Sequence, residues 1–364
     1  MAGYDPSMAR SRGPWGWDGG PSCSWGRDCG RLGISLAVVL FTVLPYGAFE
    51  KREALAGASS SMDPTPPSDP EGVSRVVRQH QMVHVFDTTS IPGGPHYVND
   101  HTLVQDHGGA WHLFGIFHRE PKGDDTEIDF IHAVAAEADP EKWTKGAFEA
   151  APEPFMVALR AERAVGETHI WAPHVIAAEG RWWMVYQGGG VDGDRASMRL
   201  AESADLYEWK RVTDVPLFED ICLARDPMLS RHDDAWILYY TRCDSTSKRT
   251  SGVAYRLSQN LVDWTEPRMV LTLPETPAMF NSGFTESPFV FERGGYWYLS
   301  VSSYPIAWDA TIVYRSPAPF AFDAVPYTRL RAHAAEWVVS GKHLFLTHAG
   351  PGQRGVWIGR VEGL

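Results

Sequence analysis

TESPFVFERGGYWYLSVSS, residues 285–303, joins two apolar, aromatic runs through an Arg-Gly-Gly turn, the pattern of a β-hairpin. The turn and its following strand recur along the chain. They read HGGAWHLFGIF (107–117), AEGRWWMVYQG (178–188), HDDAWILYYTR (232–242), ERGGYWYLSVS (292–302) and VSGKHLFLTHAG (339–350). The anchors Trp111, Trp182, Trp236, Trp297 and Lys342 are 71, 54, 61 and 45 residues apart. A second element follows in most units: DPEKWT with Trp143, SADLYEWKRV with Trp209, and SQNLVDWTEP with Trp264. From residue 74 onward almost nothing has helical period. Five strand-rich units in ~290 residues, ~58 each, predict an all-β, five-bladed β-propeller. The fifth unit is short. RVVRQHQMVHVFD (75–87) precedes the first, and is expected to complete the last blade and close the ring.

The domain plan has three parts. Residues 1–56 contain an uncharged run, 32–49, preceded by Arg10, Arg12, Arg27 and Arg31. This reads as a signal peptide or an N-terminal membrane anchor attaching through 32–49. Residues 57–73 are a Ser/Pro linker, and 74–364 the propeller. Either leader implies export, with a secreted, periplasmic or cell-surface protein, expected to be a monomer. Cys222 and Cys243 flank a hairpin turning at Arg231–Asp234. There they are either a disulfide or two thiols. Fifteen Trp, 13 Tyr and 16 Phe supply β cores and sugar-stacking faces, and a net charge of −12 argues against nucleic acid as a partner.

Glu286 heads the quoted hairpin, where a carboxylate is costly unless paired, protonated or at work. Counting back from the anchors, Asp100 stands 11 residues before Trp111, Asp226 10 before Trp236, and Glu286 11 before Trp297. The counts predict one shared place in three blades, at the entrance to the innermost strand. Crowded carboxylates repel, and repulsion raises a pKa into a general acid's range. One protonated and one ionised carboxylate across a glycosidic bond suffice for its hydrolysis.

These residues resemble the five-bladed propeller glycoside hydrolases, the arabinanase, levansucrase and invertase superfamily. The likeness is most to family 43, then to family 32. It covers about residues 90–364. It rests on VNDHTLV around Asp100, WAPH at 171–174, ARDPML around Asp226 and TESPFVF around Glu286. His101 and Ser287 depart from family 32, while RDP at 225–227 fits it. The resemblance implies Asp100 as base or nucleophile, Asp226 as pKa modulator and Glu286 as general acid. It also implies an oligo- or polysaccharide substrate, such as an arabinofuranoside or xyloside. His333 resembles the central-channel ligand of a structural calcium; no other cofactor is expected. Trp171 is the candidate stacking platform, with His96, His101, His174 and Arg225 as further substrate contacts. A retaining fructan or sucrose hydrolase, a phosphorylase or transglycosylase, and a non-catalytic carbohydrate-binding propeller are the alternatives.

Overall fold

The computed structural model describes residues 76–121, 126–190, 197–220, 224–243, 251–273, 285–303 and 310–364. The chain divides into two units, Met1–Ala54 and Leu55–Leu364, and every described residue belongs to the second. The leader, the linker and Cys222 lie outside the described residues.

Among the described residues every regular element is a strand or a short 3-10 turn, arranged in five antiparallel sheets. Blade I runs from His96–Gln105 through Trp111–Arg119 and Asp129–Ala135 to two short outer strands. Blades II, III and IV begin at His169–Ala178, Ala224–His232 and Thr285–Arg293. Blade V consists of Trp337–Ser340, His343–His348 and Gly355–Glu362. The N-terminal strands Arg78–Gln79 and Val83–Asp87 both pair with Gly355–Glu362 on the outside of that sheet. The first two strands of every blade are thus the recurring hairpin of the sequence.

Each pair of neighbouring blades shares one apolar cluster. Phe114 and Val104 meet Ile170 and Val175 between I and II. Trp236 and Leu238 pack with Val185 between II and III. Tyr239 and Val253 face Leu299 and Val301 between III and IV. Tyr298 and Val313 meet Trp337 and Leu344 between IV and V. Val98 and Trp111 meet Val338 and Phe345 between V and I. The anchor tryptophans Trp111, Trp182 and Trp236 are buried here, so they are core residues. The second repeated element is a turn with one bonding pattern. In SADLYEW, Ser203 Oγ accepts from Leu206 N, and Trp209 Nε1 donates to the Leu206 carbonyl. In SQNLVDW, Ser258, Leu261 and Trp264 repeat both bonds. Leu206 and Leu261 both have positive φ, 69° and 65°.

Away from the channel, blades I and II are also joined by a buried ion cluster. Glu167, with no exposed surface, accepts from Arg211 and from the Tyr186 hydroxyl at 2.7 Å. Arg211 also donates to the Arg160 carbonyl. Removing one partner of a buried pair strands the other charge, at about 3–5 kcal/mol. Glu167→Gln is therefore expected to lower the free energy of unfolding, measured in urea, by that order. A shift under about 1 kcal/mol would mean that water replaces the lost charge.

Candidate active site

The innermost strands of blades I to IV each carry a one-residue bulge near their start. In blade I, Val98 faces Phe117 and His101 faces Gly115. Trp171 and His174, Arg225 and Met228, and Glu286 and Phe289 flank the equivalent irregularity in blades II, III and IV. The bulges of II, III and IV begin on a left-handed residue, Ala172, Asp226 or Ser287, with φ of 48°, 53° and 48°. A proline follows each time. Proline lacks an N–H and is tolerated where the ladder is already interrupted. Blade V has a left-handed Ala334 just before its first strand.

The bulges correct one sequence expectation: the three acids do not share a position. Hairpin pairing ends at Gln105–Trp111, His232–Ala235 and Arg293–Tyr296. Counted from those ends, Asp100 lies 5 residues back (105 − 100), Asp226 lies 6 (232 − 226) and Glu286 lies 7 (293 − 286). Glu286 is the last paired residue before its bulge, opposite Ser302; Asp226 is the first bulge residue, and Asp100 the second. The similar spacing from tryptophan, 11, 10 and 11 residues, arose because the blade I turn (106–110) is longer than those of blades III and IV (233–234 and 294–295), which offsets both the smaller setback of Asp100 and the place of Trp111 at the start of its strand.

Different backbone positions nonetheless bring the side chains together. Ser287 N donates to Asp226 Oδ2 (3.1 Å), and Ser287 Oγ donates to Asp100 Oδ1 (2.7 Å). Arg225 donates through Nε to Asp226 (3.2 Å) and through Nη2 to Glu286 (2.5 Å). Asn99 Nδ2 donates to Asp100 Oδ2, and Gln353 Nε2 to Asn99 Oδ1, both at 3.2 Å. Ser287 and Arg225 thus bind the three acids into one network.

Its electrostatics favour a proton on Asp100. Burial, then the negative charge of Asp226, pushes the Asp100 carboxyl up to about 7 against the hydrogen bond from Ser287. Burial also raises Asp226, with Arg225 opposing. Burial works against the charge of Arg225, but Asp226 and Glu286 outweigh it and hold the guanidinium firmly protonated.

The predicted substrate contacts divide. Trp171 is half-buried; its indole N–H donates to Glu127 Oε2 at 2.8 Å, and the His169 ring stacks parallel to it. His174 is buried between blades: its Nδ1 accepts from Leu229 N, its ring meets Phe289, and burial lowers its pKa to about 3. His101 is buried too. It bonds the Asn99 carbonyl and the Thr347 hydroxyl, and burial lowers it to about 4. His96 is buried and stacks on Phe117. His174 and His96 pack against Phe289 and Phe117, while His101 also lines the small cavity beside the acids. Sequence reading missed Ser287 as a link, although it follows Glu286 directly. It also missed Tyr97, whose hydroxyl is raised by burial and then by the charges of Asp100, Glu127 and Glu286. Glu336 was missed as well; it lines one small cavity with Asp100, His101, Asp226 and Ser287.

Calcium takes 6–8 oxygen ligands. The cavity measures about 20 Å³, room for about one water. No group of three His, Cys, Asp or Glu able to hold a metal ion occurs among the described residues. His333 is buried, its main-chain N–H donating to His348 Nδ1 at 2.8 Å. His333 does not line this cavity, and no step below uses calcium.

The family model for glycosyl hydrolases family 43 matches residues 149–327. The match includes Trp171, His174, Arg225, Asp226 and Glu286; Asp100 and His333 lie outside it. No curated protein sequence matches the chain. Solved structures share the fold. RS223-Beta-xylosidase is 12% identical, with 78% of this chain and 95% of that chain covered, at a TM-score of 0.58. CoXyl43, a GH43 beta-xylosidase/alpha-arabinofuranosidase from a compost metagenome, is described in complex with xylotriose in a calcium-free form. It is 15% identical, with 79% and 94% covered, at 0.54. The GH32 beta-fructofuranosidase BmSUC1 of Bombyx mori is 18% identical, with 78% and 61% covered, at 0.54. The chain is a glycosidase of the five-bladed propeller superfamily. Over residues 149–327 it is similar to glycosyl hydrolases family 43.

The raised Asp100 makes a stability prediction. A carboxyl whose folded pKa lies above 3.8 favours the fold below that value, and the benefit is lost as pH rises through about 7. Asp100→Asn should therefore unfold at higher temperature than wild type at about pH 8, with a smaller gain at about pH 4. Equal shifts at both pH values would mean that Asp100 titrates as an ordinary carboxylate.

Proposed function

We propose that the protein is an exported exo- or endo-acting glycosidase that cleaves pentoside bonds, arabinofuranoside or xyloside, with inversion. The observation that carries this reading is the hydrogen-bonded set Asp100–Ser287–Asp226–Arg225–Glu286 at the bulged strand entrances. CoXyl43 and RS223-Beta-xylosidase, the structural relatives whose names give an activity on pentosides, support the choice of sugar. Export rests on the leader sequence alone.

In this reading Glu286 donates its proton to the leaving glycosidic oxygen. Asp100 removes a proton from the attacking water on the opposite face of the sugar. Asp226 holds a ring hydroxyl and, through Arg225, tunes Glu286. Without substrate the proton belongs on Asp100, and Arg225 holds Glu286. Substrate must therefore draw Arg225 toward its own hydroxyls, releasing Glu286 to carry a proton. Asp100 serves as base only when ionised, so kcat/KM should rise through an acid limb near pH 7 in the free enzyme.

The test is hydrolysis of nitrophenyl pentosides, arabinan, xylan, inulin and levan by wild type and Glu286→Gln. Turnover of a pentoside should fall by about 10³-fold in the variant, since a positioned acid contributes 10²–10⁴-fold. Cleavage confined to inulin or levan would move the assignment to the fructan hydrolases. Absence of turnover, with equal sugar binding by both proteins, would favour a carbohydrate-binding propeller.

A further inference from the structure

Asp100 is held at both carboxyl oxygens, and one of the two holds leads out to blade V. Oδ1 accepts from Ser287 Oγ of blade IV (2.7 Å), and Oδ2 from Asn99 Nδ2 (3.2 Å). Asn99 is half-buried, and its own Oδ1 accepts from Gln353 Nε2 at 3.2 Å. The direction of this chain follows from its end. An ionised carboxylate only accepts, so Asn99 must turn its NH2 to Asp100 and its carbonyl to a donor. Gln353 supplies that donor. Without it, the Asn99 amide loses the bond that keeps it from turning over and setting oxygen against oxygen at Asp100.

Gln353 stands in the turn that joins the last two strands of blade V, His343–His348 and Gly355–Glu362. Local constraints seat this turn. Gly350 has φ 55°, and a Cβ there would come within 1.9 Å of the Trp357 ring, so only glycine fits. Gln353 N donates to the Gly350 carbonyl at 3.1 Å. Arg354 forms a parallel bridge with Val98, two residues before Asp100, and its carbonyl accepts from Thr88 Oγ1 at 3.0 Å. Gln353 is left-handed, φ 51°, a costly conformation that persists only where the surroundings enforce it. Its outer side lines an open groove of about 710 Å³ with Arg331, His348 and Trp357, so the amide can be changed without emptying the core.

Resting on the glycosidase reading, we propose that Gln353 is a positioning residue for Asp100. Through Asn99 it fixes which way the carboxylate faces, and so where it meets the attacking water. The ionisable groups facing Asp100 are Tyr97 and His101 from its own strand, Arg225 and Asp226 from blade III, Glu286 from blade IV and Glu336 from blade V. Gln353 is neutral, so removing it leaves this set of charges intact and changes only the hydrogen bonding. A donor to a carboxylate favours its ionised form, and polarisation along a chain strengthens the last donor. Losing Gln353 therefore moves the ionisation of Asp100 to higher pH.

A double-mutant cycle with a pH profile tests the proposal. Gln353→Met keeps the side-chain length and removes the N–H. It should lower kcat by about 10-fold at nearly unchanged KM, and move the acid limb of kcat/KM up by about 0.5 in pH. Gln353→Glu puts an acceptor where the donor was, turns the Asn99 amide over, and should move the limb further in the same direction. Asn99→Ala should cost about 30-fold in kcat, and adding Gln353→Met should cost nothing more, because one acts through the other. Should Gln353→Met fail to fold, Gln353→Glu gives the same pH readout. Wild-type kcat in either Gln353 variant, an unmoved acid limb, or losses that multiply to about 300-fold in the double variant overturns the proposal. If wild type hydrolyses no glycoside, the glycosidase reading fails separately. The carbon-13 titration of the Asp100 carboxyl then decides: a midpoint raised by Gln353→Met supports the link, and an unmoved midpoint overturns it.

Discussion

One guanidinium decides what the channel mouth can be. Arg225 stands between Asp226 and Glu286, one-fifth exposed, and bonds both. Without a cation, carboxylates held this close would stay protonated or drive the blades apart, because burial and like charge both disfavour ionisation. With it, two of the three acids are compensated and the excess falls on Asp100, whose hydrogen-bond donors among the described residues, Ser287 and Asn99, are neutral. The uneven sharing separates the acids chemically although they are alike in type. Catalysis by two carboxyls needs that asymmetry.

The backbone makes the arrangement affordable. A left-handed residue costs roughly 1–2 kcal/mol unless it is glycine, and blades II to V each place one non-glycine residue there. The strain turns the chain at the bulge, aims Asp226 inward, and presents Ser287 N and Oγ to acids from two other blades. Strain of this kind persists only where the surroundings over-determine it. Here the clusters between neighbouring blades do so, and each Pro after the left-handed residue removes a donor that the interrupted ladder could not satisfy.

The blade count was legible in the sequence because a turn followed by an aromatic strand is a local signal, repeated five times. The three acids were found by the same counting, but their placement was not. Tryptophan marks the core, not the register, and shifts by one residue between Trp111 and Trp236 without disturbing the packing. His101 and His174 are the first paired residues after the bulges of blades I and II, and each also contacts a neighbouring blade, His101 at Thr347 and His174 at Leu229. Glu336 was invisible because it lines the cavity with Asp100, 236 residues away in sequence (336 − 100 = 236), only when blade V reaches blade I.

That meeting bears on the geometry of the acids. Asp226 and Glu286 come from adjacent blades and share Arg225, so one interface fixes their separation. Asp100 is different: around the ring, blade V lies between its blade and that of Glu286. Its position depends on the chain's first and last described strands finding each other. The contacts at that seam are polar as well as apolar: His101 with Thr347, Gln353 with Asn99, and Thr88 with the Arg354 carbonyl. Apolar packing tolerates sliding by fractions of an ångström, whereas a hydrogen bond weakens steeply with distance and angle. The distance from Asp100 to Glu286, which separates inversion from retention, is thus governed by the polar seam between the ends of the propeller more than by either residue's own blade.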